Sequence, residues 1–396
     1  MPVADDPIWG DKIVPLNCDT NKRATWFEAG PWIEADIPPR PWIAPGYLIR
    51  GQVSLLAGAG GAGKSMLSLG YAVSLVLGKP WGRFQPRHQC RVLVFNAEDD
   101  GAEQRLRLSA ALRQWDVDPK ALGESLIRAG YDEAAPLIDY DPSTGLASPT
   151  AAMVEVEEQI TKHKPDVVVF DPLVELHTAG ENDNQALRAV IAQFRGLAKR
   201  HQHASLILLH TRKGSSQAHG DADSIRGAGA IVGAGRVALT CCVMTPDEAR
   251  DLGLPENAHQ HFFRVDGAKS NYAPLRDAEW YERVDYILDN GEQVSGAVPW
   301  TPPVQTLTDA DYRGLVTAIA TAAVPLTPRL SDDSRSFASA CRRVGISNRE
   351  AQRKALSVLV NQYGIVEARF ERPFKGGLAV GLRTSDGLPS GVKWEI

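Results

Sequence analysis

The sequence predicts an α/β protein: a twisted, mostly parallel sheet covered by helices, followed by a smaller unit with a winged-helix order of elements. Three observations predict it. Between residues 46 and 297, short and nearly uninterrupted apolar runs alternate with longer amphipathic ones, as buried parallel strands alternate with their crossover helices. A glycine-rich loop stands between the first such strand and the first helix. Past a Pro-rich connector at 298–306, the order changes to three helices and then short strands.

The elements follow in order. Residues 1–45 hold Trp26, Trp32, Trp42, Pro38, Pro39, Pro41 and Pro45 without a sustained period, and are expected to form an extended arm. Apolar runs at 53–57, 92–96, 167–170, 206–209, 236–244 and 262–265 read as strands, with helices expected from about residues 64, 101, 150 and 184. In the final unit, 307–396, helices are expected at 309–323, 334–344 and 347–362, and strands at 365–370, 378–382 and 392–396. No internal repeat or low-complexity tract interrupts them.

Composition excludes several classes. At 396 residues, 43% hydrophobic and 23% charged, the chain has the balance of a soluble globular protein with two or three domains. The first ten residues are acidic and contain proline, and no apolar run approaches ~18 residues, so a secreted or membrane-spanning chain is not expected and a cytoplasmic one is. Five cysteines occur without a CxxC spacing, and adjacent Cys241 and Cys242 would point to opposite faces of a strand, so neither a zinc site nor a disulfide framework is expected. A net charge of −5 leaves nucleic-acid contact to local basic patches.

The chemistry starts at Gly58-Ala-Gly-Gly-Ala-Gly63-Lys64-Ser65, a P-loop in strand-loop-helix context. Gly58, Gly60, Gly61, Ala62, Gly63 and the first helical residues through Met66 aim backbone N–H groups at phosphate. Lys64 would reach the β and γ phosphates of ATP, and Ser65 would offer its hydroxyl to Mg2+. Ligands of open parallel sheets bind at the carboxyl ends of the strands, and three further strand ends carry polar groups. The strand at 167–170 runs into Asp171, the Walker B carboxylate that steadies Mg2+ through water. Pro172 follows where a second acid could stand, so the water-activating base must come from elsewhere, and Glu98 is the candidate. Its neighbours Asp99 and Asp100 either cap the next helix or join the Mg2+ shell. His210 ends a third strand, either as a structural histidine or as a sensor of the γ-phosphate that passes its state to the loop 211–224, which bears Arg212 and Lys213. Arg226 follows, and Arg236 enters an apolar strand where a guanidinium is costly unless paired.

As a set, the P-loop, the strand end Asn96-Ala-Glu98-Asp99-Asp100, Phe170-Asp171-Pro-Leu with His177-Thr-Ala-Gly-Glu-Asn-Asp-Asn, Leu-Leu-His210-Thr-Arg212-Lys213, Arg226-Gly-Ala with Arg236 ten residues later, and Ala-Lys269-Ser-Asn271-Tyr resemble the RepA-type hexameric helicases among the RecA-like ATPases. The resemblance covers about residues 38–280. It implies a RecA-like P-loop ATPase domain over 46–297, a homo-hexameric ring, and single-stranded DNA held by pore loops. By the same resemblance, Lys64, Glu98, Asp171 and His210 are the catalytic set, Arg236 is the arginine finger supplied to a neighbour's ATP, and Lys269 and Arg226 are further trans-acting candidates. The Pro/Trp-rich arm and the final unit depart from the family pattern.

Between Arg329 and Arg383 the final unit carries more basic than acidic residues. Arg349 and Arg353 share a face of the expected recognition helix, and Arg369, Arg372 and Lys375 surround the expected wing, a footprint for duplex DNA or for a protein partner. Two functions therefore stand: a DNA-stimulated ring motor of DNA replication, or an ATP-gated loader or regulator that does not translocate. A kinase is disfavoured, because no second substrate site is visible.

Overall fold

The computed structural model describes residues 30–130, 135–180, 183–211, 220–222, 228–255, 257–272, 278–302, 307–330, 335–344, 346, 349–371 and 378–386. The chain divides into two units, residues 1–40 and 41–396. Within the first, the described stretch 30–40 is exposed throughout and holds one short 3-10 turn, Glu34–Asp36.

Sequence period alone extends the arm to residue 45, but the second unit opens with a hairpin, β1 (Trp42–Ala44) and β2 (Leu48–Ile49), in which Ile43 and Ala44 are buried. Burial, not local periodicity, sets this boundary. There follow β3 (Val53–Gly58), α1 (Lys64–Leu77), β4 (Val92–Asn96), α2 (Gly101–Arg113) and β5 (Leu126–Ala129). A small hairpin, β6 (Ile138–Asp141) and β7 (Leu146–Pro149), precedes α3 (Ala151–His163), β8 (Val167–Asp171), α4 (Asn184–His201) and β9 (Ala204–His210). Then come α5 (Ala228–Ala234), β10 (Val237–Val243), α6 (Pro246–Asp251) and the long strands β11 (Phe262–Ser270), β12 (Glu279–Ile287) and β13 (Gln293–Trp300).

Helix starts follow from local chemistry. Asp100, Thr150 and Asp183 cap α2, α3 and α4 by accepting backbone N–H bonds of the first turn, whereas α1 springs from Gly63 at φ 107°, a left-handed conformation that suits glycine.

Among the described residues, nine strands form one sheet in the order β13-β12-β11-β10-β3-β9-β8-β4-β5. The six strands from β10 to β5 are parallel, and β11, β12 and β13 extend the sheet antiparallel. Of that extension the sequence pattern shows only the start of β11. The Pro-rich connector begins later than composition suggests, since Pro299 lies inside β13. That strand is the sheet's edge, where proline is tolerated.

Strand alternation builds two cores. Leu56, Val169 and Leu208 join the core shared with α1 and α2, while Leu55, Val168 and Ile207 join the one under α3 and α4. Both faces are covered, which is why these strands read as continuous apolar runs.

The chain ends in α7 (Asp309–Ala320), α8 (Phe337–Arg343), α9 (Arg349–Gln362) and the antiparallel hairpin β14 (Ile365–Glu371) and β15 (Leu378–Thr384). These elements bury a core of their own, with Leu315, Ile319, Phe337, Leu359, Ile365 and Leu382. The strand expected at 392–396 lies outside the described residues. No helix among the described residues is long and apolar enough to cross a membrane.

Candidate nucleotide-binding site

Parallel pairing brings four strand ends to one edge of the sheet. Gly58 at the end of β3 pairs with His210 at the end of β9, and Asn96 at the end of β4 pairs with Asp171 at the end of β8. Elements far apart in sequence thus deliver the P-loop, His210, Asp171 and Glu98 to the carboxyl edge, where open parallel sheets bind ligands.

The loop itself is tightly backed. A Cβ on Gly58 would meet the Cys241 carbonyl oxygen at 2.5 Å, so no larger residue fits there. Gly61 also has positive φ, 70°. Lys64 Nζ donates to the carbonyl oxygens of Gly58 and Ala59, each at 3.0 Å, and lies 3.5 Å from His210 Nδ1. Burial lowers the lysine's pKa, and Cys241, Asp171 and Glu98 oppose that shift. Gly60 is exposed at the tip, while Ser65 and Met66 are half-buried in the first turn of α1.

Asp171 is only 3% exposed. Burial pushes its carboxyl up to about 6; the hydrogen bond from the Ser65 side chain and the charge of Lys64 act against the shift, and Glu98 and Asp99 reinforce it. The donor set fits a magnesium-bound phosphate: the Ser65 hydroxyl and the buried Asp171 carboxylate beside it are the pair that would hold the cation, with Lys64 nearby for the phosphate. Glu98 is exposed at the rim, within the electrostatic reach of both Lys64 and Asp171.

The two aspartates after Glu98 divide their roles. Asp100 caps α2, its carboxylate accepting from the N–H groups of Ala102 and Glu103, and those bonds hold its pKa low. Asp99 pairs with Arg107 of α2 at 3.1 Å and accepts from Asn96 Nδ2 at 3.2 Å, while burial raises its pKa. Asn96 has no role in the sequence reading, yet its Oδ1 accepts from the N–H groups of both Glu98 and Asp99, at 2.8 and 2.7 Å, and so sets the turn that presents Glu98. The signal was available in Asn-x-Glu at a strand end. Arg107 was not legible, because its partner lies across the turn and α2.

His210 reaches the site between the P-loop strand and the Walker B strand, and Thr211 N–H donates to Gly58 O at 3.2 Å. The far end of the loop 211–224 is tied to β10 by Gly220 N–H donating to Thr240 Oγ1 at 2.9 Å. Arg212, Lys213 and Arg226 lie outside the described residues.

Arg236 and Lys269 stand at the other end of the sheet. Arg236 immediately precedes β10, whose Val237 pairs with Ser54 at the start of β3, while Cys241 pairs with Gly58. Five residues of strand, ~17 Å, separate Arg236 from the chain's own P-loop. Its Nε makes no hydrogen bond, no carboxylate among the described residues pairs with it, and its guanidinium lies 6.0 Å from the Tyr272 ring centroid. Lys269 donates to the carbonyls of Val232 and Gly235 at 2.6 and 3.0 Å, closing the end of α5; burial, and then Arg236, lower its pKa.

In the C-terminal unit, Arg353 on α9 and Arg369 on β14 are exposed. Arg372 and Lys375 lie outside the described residues, and Arg349 is described by its main chain only. Compared with known families, residues 19–216, half of the chain, match the family described as an AAA domain.

Proposed function

The chain belongs to this AAA-domain family, and from that premise we propose that it is a cytoplasmic, Mg2+-dependent ATPase that assembles as a homo-hexameric ring and moves along single-stranded DNA, as RepA-type replicative helicases do. One observation carries the reading. The chain gathers P-loop, Glu98, Asp171 and His210 at one end of a single sheet, and at the other end Arg236 has no carboxylate partner among the described residues. A cation that cannot reach its own phosphate site is placed to serve a neighbour's, and a ring gives every site one such neighbour.

In this reading Lys64 and the loop N–H groups hold the triphosphate, Ser65 and Asp171 hold Mg2+, and Glu98 takes the proton of the attacking water. His210 touches Lys64 and opens the loop 211–224, so a change in phosphate state is passed to a segment that contacts single-stranded DNA in the pore. The C-terminal unit is read as a winged helix over 307–396 that contacts duplex DNA through Arg353 and Arg369. Its separate core and basic exposure also favour a second reading, an ATP-gated loader that binds duplex and does not translocate; strand displacement by the full chain with ATP separates the two.

The test of the site is a pair of variants. Lys64→Ala is expected to abolish ATP binding and turnover, and Glu98→Gln to retain ATP affinity while turnover falls by roughly 10²–10⁴. Equal loss of affinity in both would remove Glu98 from the role of base.

A further inference from the structure

Strand β12 brings a cation to the phosphate loop from within the same chain. Tyr281 and Arg283 project from one face of β12, and Phe263 of β11 stands opposite Tyr281 in the ladder. The rings of Phe263 and Tyr281 stack with centroids 5.4 Å apart, and the Arg283 guanidinium lies 5.6 Å from the Phe263 centroid. The same Phe263 ring comes within 3.1 Å of where a Cβ on Gly63 would sit, so this wall packs directly against the loop. Arg283 Nη2 donates to Gly61 O at 2.5 Å.

The loop's carbonyls are thereby held from several sides. Lys64 takes those of Gly58 and Ala59, Cys241 Sγ donates to that of Ala62, and Arg283 takes that of Gly61. Holding a carbonyl fixes the peptide plane that carries the next N–H, and a phosphate loop works through the direction of its N–H groups.

Arg283 is half-buried, and burial lowers its pKa. Its Nε makes no hydrogen bond, and among the described residues no carboxylate pairs with it. A half-buried cation without a counter-ion is costly, and an anion placed in the adjacent loop offsets that cost. We propose that Arg283 is a positioning residue of the phosphate loop, which braces the Gly61 peptide from strand β12 and couples its uncompensated charge to the binding of a nucleoside triphosphate. The proposal rests on the nucleotide-binding reading of the loop. It adds to that reading a cis contribution from the antiparallel extension of the sheet, distinct from any cation supplied by a neighbour.

The experiment measures ATP binding and steady-state turnover of the full chain at several salt concentrations for wild type, Arg283→Ala, Arg283→Met, Arg283→Lys and Lys64→Ala. Removing the charge is expected to weaken ATP binding about tenfold, the size of a lost charged hydrogen bond. KM should rise by a similar factor while kcat at saturating ATP stays within about twofold, because the brace acts alike on ground and transition states. Arg283→Lys should recover part of the affinity, and the charge-free variants should show a weaker dependence of affinity on salt. Arg283→Met keeps an apolar stem on Phe263, so it carries the test if Arg283→Ala melts early. Wild-type affinity and salt response in Arg283→Met, with Lys64→Ala inactive, would overturn this proposal alone. A wild-type chain that binds no ATP would instead overturn the nucleotide-binding reading beneath it.

Discussion

Burial decides what the ionisable side chains of the sheet do. Lys64 loses water but keeps two carbonyl partners that hold its ammonium in place, and burial raises the Asp171 carboxyl against the opposing effect of Ser65. Away from the site, His203 at the amino end of β9 is fully buried, with Nε2 3.1 Å from Ser205 Oγ; burial, helped by the charges of His201, Arg50 and Arg200, depresses its pKa from 6.5 to about 3. The unfolded chain therefore takes up a proton at this residue where the folded one does not. Its contribution to stability is present above the unfolded pKa of 6.5 and is lost as pH falls from there toward about 3. Asp171 works in the opposite sense over part of that range, since its carboxyl is raised to about 6 and its contribution grows as pH falls. The measurement is accordingly a difference. Urea unfolding of wild type and His203→Gln at pH 7 and pH 5 should show the wild type losing up to about 1.4 kcal/mol per pH unit more than the variant. Parallel pH profiles would show that His203 is not the group that titrates.

At the scale of elements, the parallel strands β3, β4, β8, β9 and β10 were legible because each is an apolar run buried on both faces, and α1 to α4 because their caps and periods are local; β5, Leu126–Ala129, is only partly buried and was not legible. Strands β12 and β13 were not. Glu279–Ile287 mixes charged and aromatic residues, and only pairing with Phe262–Ser270 and Gln293–Trp300 gives its alternation a buried side. In the C-terminal unit, α7 begins at a capping box between Thr308 and Asp311, and Leu315 and Ile319 carry it into the core with α9 and the hairpin. Arg353 and Arg369 stay outside that core, so replacing both by alanine should leave the fold and the ATPase rate intact. Duplex DNA affinity should fall, and the slope of log K against log salt should shrink by ~0.9 for each lost phosphate contact. Unchanged duplex binding at low and high salt would favour a protein partner for this surface.

For the whole molecule, sheet direction puts Arg236 at the end opposite the P-loop, and the proposed function makes it the arginine finger of a neighbour's site. Arg236→Ala should lower turnover on the order of 10³-fold, as loss of an arginine finger does. Mixing should then restore it in part, because a chain carrying Arg236→Ala keeps an intact P-loop, and a neighbour carrying Lys64→Ala keeps an intact Arg236. If co-assembled mixtures of these two inactive variants stay inactive, Arg236 does not act across an interface.

The sequence alone determined the P-loop, the strand ends at Glu98, Asp171 and His210, and the alternation that makes the sheet parallel, because spacing and period along the chain express each of them directly. Tertiary structure decided the rest. It separated Asp99, paired with Arg107, from Asp100, which caps α2; it put Arg236 and Lys269 at the end of the sheet away from the loop; and it brought Arg283 to Gly61. Those placements depend on strand order, direction and register between segments far apart in the chain, and a one-residue change of register would turn Arg283 away from the loop to the opposite face.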